Sequence, residues 1–142
     1  MITPADEDFL RRAIALAAHA VTLGDAPFGS LLAGPDGEIL AEAHNTVRSD
    51  NDISAHPELK LARWAARELD QETARGTTLY TSCQPCGMCA GGIARSGLGR
   101  VVYALSTEQF VELHPAGAWP AVRQDGPALF DEARAPIDDY YT

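Results

Sequence analysis

The sequence predicts an α/β fold, one mixed sheet with helices on both faces. Two observations carry this. Apolar spacing switches along the chain between helical and strand-like runs in the order α-β-β-α-β-α-β, the pattern of a sheet covered by helices. A strong turn, Gly34-Pro35-Asp36-Gly37, joins the first two strand-like runs into a hairpin. The 142 residues fit one domain, residues 1–142, with one core and neither linker nor internal repeat.

Thr3 caps the first helix, Pro4 suits its first turn, and Asp6, Glu7 and Asp8 favour its positive end. Phe9, Leu10, Ala13, Ile14, Leu16, Ala17, Ala20 and Val21 form its apolar stripe, and Gly24 ends it. Phe28–Ala33 and Glu38–Ala43 are the hairpin strands, followed by polar loop over Asn45–Asn51. Ser54 caps a second helix running to Leu69, with Leu59, Ala62, Ala66 and Leu69 inward, Lys60, Arg63 and Arg67 outward, and Trp64 packing. Thr77–Ser82 is a strand. Cys86–Ser96 is a helix whose Ala90-Gly91-Gly92 permits close packing, and Arg100–Leu105 is another strand. Beyond Ser106 the pattern weakens: Thr107–Leu113 reads as a short helix, His114–Gly126 as loop, Pro127–Phe130 as strand or extended segment, and Asp131–Arg134 as a helical turn.

A hydrophobic fraction of 46% with 22% charged residues is that of an ordinary soluble globule. No run approaches the ~18 apolar residues of a membrane span. Acids precede any apolar run at the N-terminus, so no secretory signal is expected there. A cytoplasmic location, which keeps thiols reduced, follows by default. The net charge of −9 and scattered basic residues argue against a polynucleotide substrate, whose backbone calls for a basic stripe.

The chemistry concentrates in Ser54-Ala55-His56-Pro57-Glu58 and Thr81-Ser82-Cys83-Gln84-Pro85-Cys86-Gly87-Met88-Cys89. Cys86 and Cys89 stand three apart, on one face of a helix, and two sulfurs on one turn can bind one zinc ion. Both lie at a helix N-terminus, whose N–H groups favour thiolates. His56 supplies a third ligand by inference. Residues two apart on a helix point roughly 200° apart, so His56 and Glu58 share one cavity only if the helix begins here, where Pro57 is tolerated. One imidazole and two thiolates leave a tetrahedral position open for water, the mark of a catalytic site. The metal lowers that water's pKa towards ~7, and Glu58 fits the role of the carboxylate that moves its proton.

On these residues the chain resembles the cytidine deaminase superfamily, whose zinc signature is H-x-E followed by P-C-x-x-C. The resemblance runs from about Phe28 to Leu105 and, within the superfamily, is strongest to guanine and nucleoside deaminases, then to tRNA adenosine deaminases. It implies a three-layer α/β/α fold with a mixed five-stranded sheet, one Zn²⁺ per chain, a small-molecule base or nucleoside as substrate, and a homodimer, sometimes with exchanged C-terminal segments. It also implies that Asn45 contacts the base, that Phe28 lines the pocket, and that backbone around Ala55, Ser82 and Cys83 touches the substrate. The chain departs from the family in Pro57, where a small residue is usual, and in Gln84, where Glu is frequent. A distal catalytic acid known in guanine deaminases has no secure counterpart.

Other readings stay open on the residues alone. His56, Cys83, Cys86 and Cys89 can close a structural Cys₃His knot. Cys83-Gln84-Pro85-Cys86 can be a redox pair, or Cys83 a buried small hydrophobe. Asn45 can be a turn residue and Phe28 plain core. His44 and His114 read as solvated or structural, and Trp119, Tyr140 and Tyr141 as a pocket roof or a partner contact. The expected function is zinc-dependent hydrolytic deamination of a purine base or nucleoside, guanine first. Cytosine, cytidine or tRNA adenosine are alternative substrates, and a structural zinc module is the non-enzymatic alternative.

Overall fold

The first helix, α1 (Pro4–Thr22), starts at Thr3, whose hydroxyl accepts from the Asp6 amide while the Asp6 carboxylate accepts from the Thr3 amide. Gly24, at φ +86, follows its end. The computed structural model describes residues 1–142, and β1 (Gly29–Ala33), β2 (Ile39–His44), α2 (Val47–Asp50), α3 (Pro57–Glu68), α4 (Gln71–Arg75), β3 (Thr78–Cys83), α5 (Gly87–Ser96), β4 (Arg100–Leu105), α6 (Thr107–Leu113) and α7 (Phe130–Tyr141) succeed α1. No helix is long and apolar enough to cross a membrane.

The sheet has four strands in the order β2-β1-β3-β4. β1 is antiparallel to β2 and β3, and β3 is parallel to β4, so the sheet is mixed as expected. It is not five-stranded. Pro127–Phe130 adds no strand, Pro127 offers no N–H to a ladder, and β4 stays at the edge. The expected turn at Asp131–Arg134 is instead the start of α7, which runs through Pro136 and has no buried residue.

β1 is buried along its whole length because both of its faces are covered. Leu31 and Ala33 pack with Leu10 of α1, Tyr80 and Val102. Leu32, pointing the other way, packs with Leu79 and with Leu61 and Ala65 of α3. α1 therefore covers one face and α3 the other, with α5 laid against α3. The inward face of α3 differs from the expected one: Ala66 is exposed, while Leu61, Ala62 and Ala65 are buried. A helix wedged between a sheet and a second helix buries two adjoining stripes, and Ala66 belongs to neither. Ile14 and Val21, expected in the α1 stripe, are likewise exposed.

Gly29 is where α1 and β1 approach most closely. A Cβ there would stand 2.5 Å from the Ala13 carbonyl oxygen and 2.5 Å from the Ala17 nitrogen, so any side chain would push the helix off the sheet. At the other end of α1, buried Asp6 accepts from the Tyr80 hydroxyl at 2.6 Å and from both Arg100 Nη atoms at 3.0 and 2.9 Å. Arg100 first, then Tyr80, hold the Asp6 carboxyl far below the usual carboxylate range. Burial and the Asp6 charge push Tyr80 up to about 12.

A carboxyl depressed by folding contributes stability that is full above its unfolded pKa of about 3.9 and fades as pH falls further. Asp6→Asn is expected to cost about 2 kcal/mol at pH 7. Chemical denaturation at stepped pH should show the wild-type advantage shrinking below pH ~4; an advantage independent of pH would contradict the ion pair's role.

Candidate active site

Two helix starts build the site. Pro57 is the first residue of α3 and His56 is its cap, in extended conformation as a residue before proline prefers. Ser54, the expected cap, instead donates from its hydroxyl to Asp52 at 2.7 Å in the preceding turn. The start at Pro57 places His56 and Glu58 on either side of one turn, both lining the same cavity. Cys86 caps α5 in the same manner, and Cys89 lies inside its first turn.

His56 Nδ1 stands 3.6 Å from Cys86 Sγ and 3.4 Å from Cys89 Sγ, and the three candidate ligand atoms lie within 4.8 Å of one another. A tetrahedral ion with Zn–S of about 2.3 Å and Zn–N of about 2.0 Å holds S and N about 3.5 Å apart. The two observed distances bracket that value, so the residues fit zinc. Cys83 is buried at the end of β3 and outside this group, so the cluster is His-Cys₂ and not a closed Cys₃His knot. The expected lowering of the thiol pKa at the helix start does not hold at Cys89. Burial pushes it up, and the neighbouring Glu58 and Cys86 push it the same way. The helix end is outweighed there, and it is a cation that makes the thiolate favourable.

Glu58 is 6% exposed. Burial pushes its carboxyl up to about 7, against the pull of its own backbone amide and of the Ser30 side chain. Ser30 and Thr81 face each other across β1 and β3 at 2.9 Å and form the polar floor beneath α3.

The cavity encloses about 850 Å³. Phe28, Asn45 and Cys83 lie in its wall; Ala55 and Ser82 do not. The Ala55 carbonyl accepts from the Thr46 amide at 3.1 Å, and the Ser82 hydroxyl from the Gly29 amide at 3.1 Å, so Ala55 is tied to the loop after β2 and Ser82 to the start of β1. Gln84 lines the cavity, and its Oε1 accepts from Thr107 N at 3.0 Å, joining the cysteine segment to α6. From α6, Phe110 meets Phe28 edge-on with ring centroids 5.5 Å apart. His114, which follows α6, also lines the wall, and Trp119 brings its ring 6.3 Å from that of His56. Sequence reasoning missed Phe110 and Val111 as cavity residues. The helical reading of Thr107–Leu113 located their element but gave no sign of which face meets the site.

The model of the cytidine and deoxycytidylate deaminase zinc-binding region matches residues 3–105. The chain belongs to this deaminase family. Zinc is its metal, and His56, Cys86 and Cys89 are the residues that would hold it here. Guanine deaminase of Bacillus subtilis is 41% identical over 99 residues, 69% of this chain and 63% of that protein. Its crystal structure superposes with a TM-score of 0.75 at 32% identity, over 94% of this chain and 92% of that one. A probable cytosine deaminase of Schizosaccharomyces pombe is 31% identical over 137 residues, 94% of this chain and 81% of that protein. A tRNA-specific adenosine deaminase of Haemophilus influenzae is 35% identical over 101 residues, 71% of this chain and 58% of that protein. Against two of these three relatives the matched region spans less than two thirds of the relative's length.

Cys86→Ala is expected to leave the purified protein nearly free of zinc. Chelation should lower the melting temperature of the wild-type protein, because an ion that binds only the folded chain stabilises it. Metal analysis and a thermal scan with and without chelator check both; zinc retained without Cys86 would contradict the ligand assignment.

Proposed function

We propose that the chain catalyses hydrolytic deamination of a purine base or nucleoside, guanine first, exchanging the exocyclic amine for the oxygen of water and releasing ammonia. The reading rests on Glu58, a buried carboxyl that opens on the cavity beside the three zinc ligands without being one of them. Zinc, when bound, supplies a Lewis acid that acidifies water at the site. Glu58 accepts a proton from that water and passes it to the ring nitrogen next to the carbon under attack, then takes up the second proton of the same water from the new hydroxyl and delivers it to the departing amine. A carboxyl that burial places near neutrality suits both directions of transfer.

Phe28 and Phe110 form an aromatic wall against which a flat ring can lie, and Asn45 fixes its orientation by hydrogen bond. A cavity of about 850 Å³ has room for a bicyclic ring or a nucleoside. The likeness to guanine deaminase puts guanine first. The net charge of −9 opposes a tRNA substrate, and a free cytosine is the other substrate to test.

A homodimer accompanies this reading. α7 exposes Phe130, Ile137, Tyr140 and Tyr141, the tyrosines at 81% and 77%, and buries none of its residues on its own subunit. Apolar surface of that kind is covered favourably by a second copy.

Ammonia release from the zinc-loaded protein is expected with guanine or guanosine, ahead of adenine, adenosine, cytosine and cytidine. Glu58→Gln should keep zinc and fold while losing about 10²- to 10⁴-fold in turnover; near-normal turnover in that variant would sink the mechanism. Light scattering should give twice the 15.2 kDa chain mass, and truncation before Leu129 should return the chain to a monomer.

A further inference from the structure

We propose that Lys60 is a positioning residue: from α3 it holds the residues on both sides of Asn45, through the His44 carbonyl and the Thr46 hydroxyl, so that the Asn45 amide stands as a fixed hydrogen-bond donor in the cavity. This rests on the reading of Asn45 as a contact to the substrate ring.

Lys60 was expected to point into solvent. It is half-buried instead, and its Nζ donates to the His44 carbonyl at 2.9 Å and to Thr46 Oγ1 at 2.5 Å. Those two residues flank Asn45. Helical side chains lean toward the helix N-terminus, and Lys60 lies in the first turn of α3, so its ammonium reaches back over the start of the helix to the loop behind it. Thr46 Oγ1 in turn donates to Asp50 at 2.7 Å. The hydroxyl thus accepts from the cation and donates to the carboxylate, an oriented chain from α3 through the loop to α2.

Asn45 is buried, and its polar groups are almost fully committed. Its N–H donates to the Phe28 carbonyl at 2.9 Å, its carbonyl meets His44 Nδ1 at 3.1 Å, and its Oδ1 accepts from Val47 N at 3.0 Å. Nδ2 remains for a ligand, on a residue that lines the cavity. Apolar packing does little to hold this segment: α2 is four residues long and has none buried. Polar pins hold it, namely Thr46 N to the Ala55 carbonyl, Ser49 to Asp25, and Lys60 to both neighbours of Asn45. Burial moves the Lys60 ammonium below its usual pKa, while Asp50, Asp25 and Asp52 around it pull the other way.

One rigid element therefore sets three distances. The cap and first turn of α3 carry a zinc ligand at His56, the carboxyl at Glu58, and at Lys60 the group that fixes the ring-binding amide relative to both. An effect on Asn45 belongs to substrate binding and not to the reacting atoms, so it should appear in KM.

Lys60→Met and Lys60→Arg are compared with wild type, alone and combined with Asn45→Ala. The measurements are KM and kcat on whichever base or nucleoside the wild type deaminates, zinc content, and amide hydrogen exchange. Lys60→Met is expected to raise KM about tenfold with kcat within about twofold. Zinc should be unchanged, exchange at Thr46 and Val47 faster, and protection in β1 and β3 intact. Lys60→Arg should recover most of the loss, and with Asn45→Ala present Lys60→Met should raise KM no further. Multiplicative KM effects in the double variant, or a loss confined to kcat, would overturn the proposal. If no base or nucleoside is turned over, the functional reading falls, and exchange decides positioning alone. Local deprotection at Thr46 and Val47 supports it, and unchanged protection there overturns it.

Discussion

The metal centre depends on how closely α3 and α5 pack. Gly92 eases the approach of α5 to α3: a Cβ there would stand 2.5 Å from Leu59 Cδ1, the far end of a side chain that can turn aside, and 4.0 Å from Ala62 Cβ. That approach brings the cap of one helix against the first turn of the other and sets the 3.4 and 3.6 Å spacings between His56 and the two thiols.

The same packing decides the electrostatics. α3 sits over the sheet with Leu61 and Ala65 on apolar Leu32 and Leu79, while Glu58, one turn earlier, lies over the polar Ser30 and Thr81. A carboxyl buried among few donors is driven up, and so is a thiol buried beside a carboxyl and another thiol. Both groups are poorly solvated without a cation, and a divalent ion among them relieves both at once. Stability is anchored elsewhere, at Gly29 and at the Asp6–Tyr80–Arg100 cluster, so the strained electrostatics of the site and the robust packing of α1 occupy opposite faces of the sheet.

Much of the fold was legible because its signals are local. Thr3 with Asp6, the Gly24 stop and the Gly34–Gly37 turn each act within a few residues, and α1 and the hairpin follow them. The C-terminal third was not, since no short-range signal separates an extended Pro127–Phe130 from coil, and the length of α7 rests on no partner within the chain. Lys60 was misplaced for a related reason: a cation on a helix reads as solvent-facing until the loop it grips is known to lie behind it.

By itself the sequence determined the candidate ligand types and their spacing and confined Pro57 to a first helical turn, because Cys-x-x-Cys, His-x-Glu and a helix-starting proline are properties of the chain alone. Tertiary structure decided which cysteine stays outside the metal group, that Phe110 and Val111 of α6 wall the cavity, and which residues hold Asn45. Those outcomes turn on distances between segments far apart in sequence, set by how helices seat on a sheet, and spacing along the chain carries no record of them.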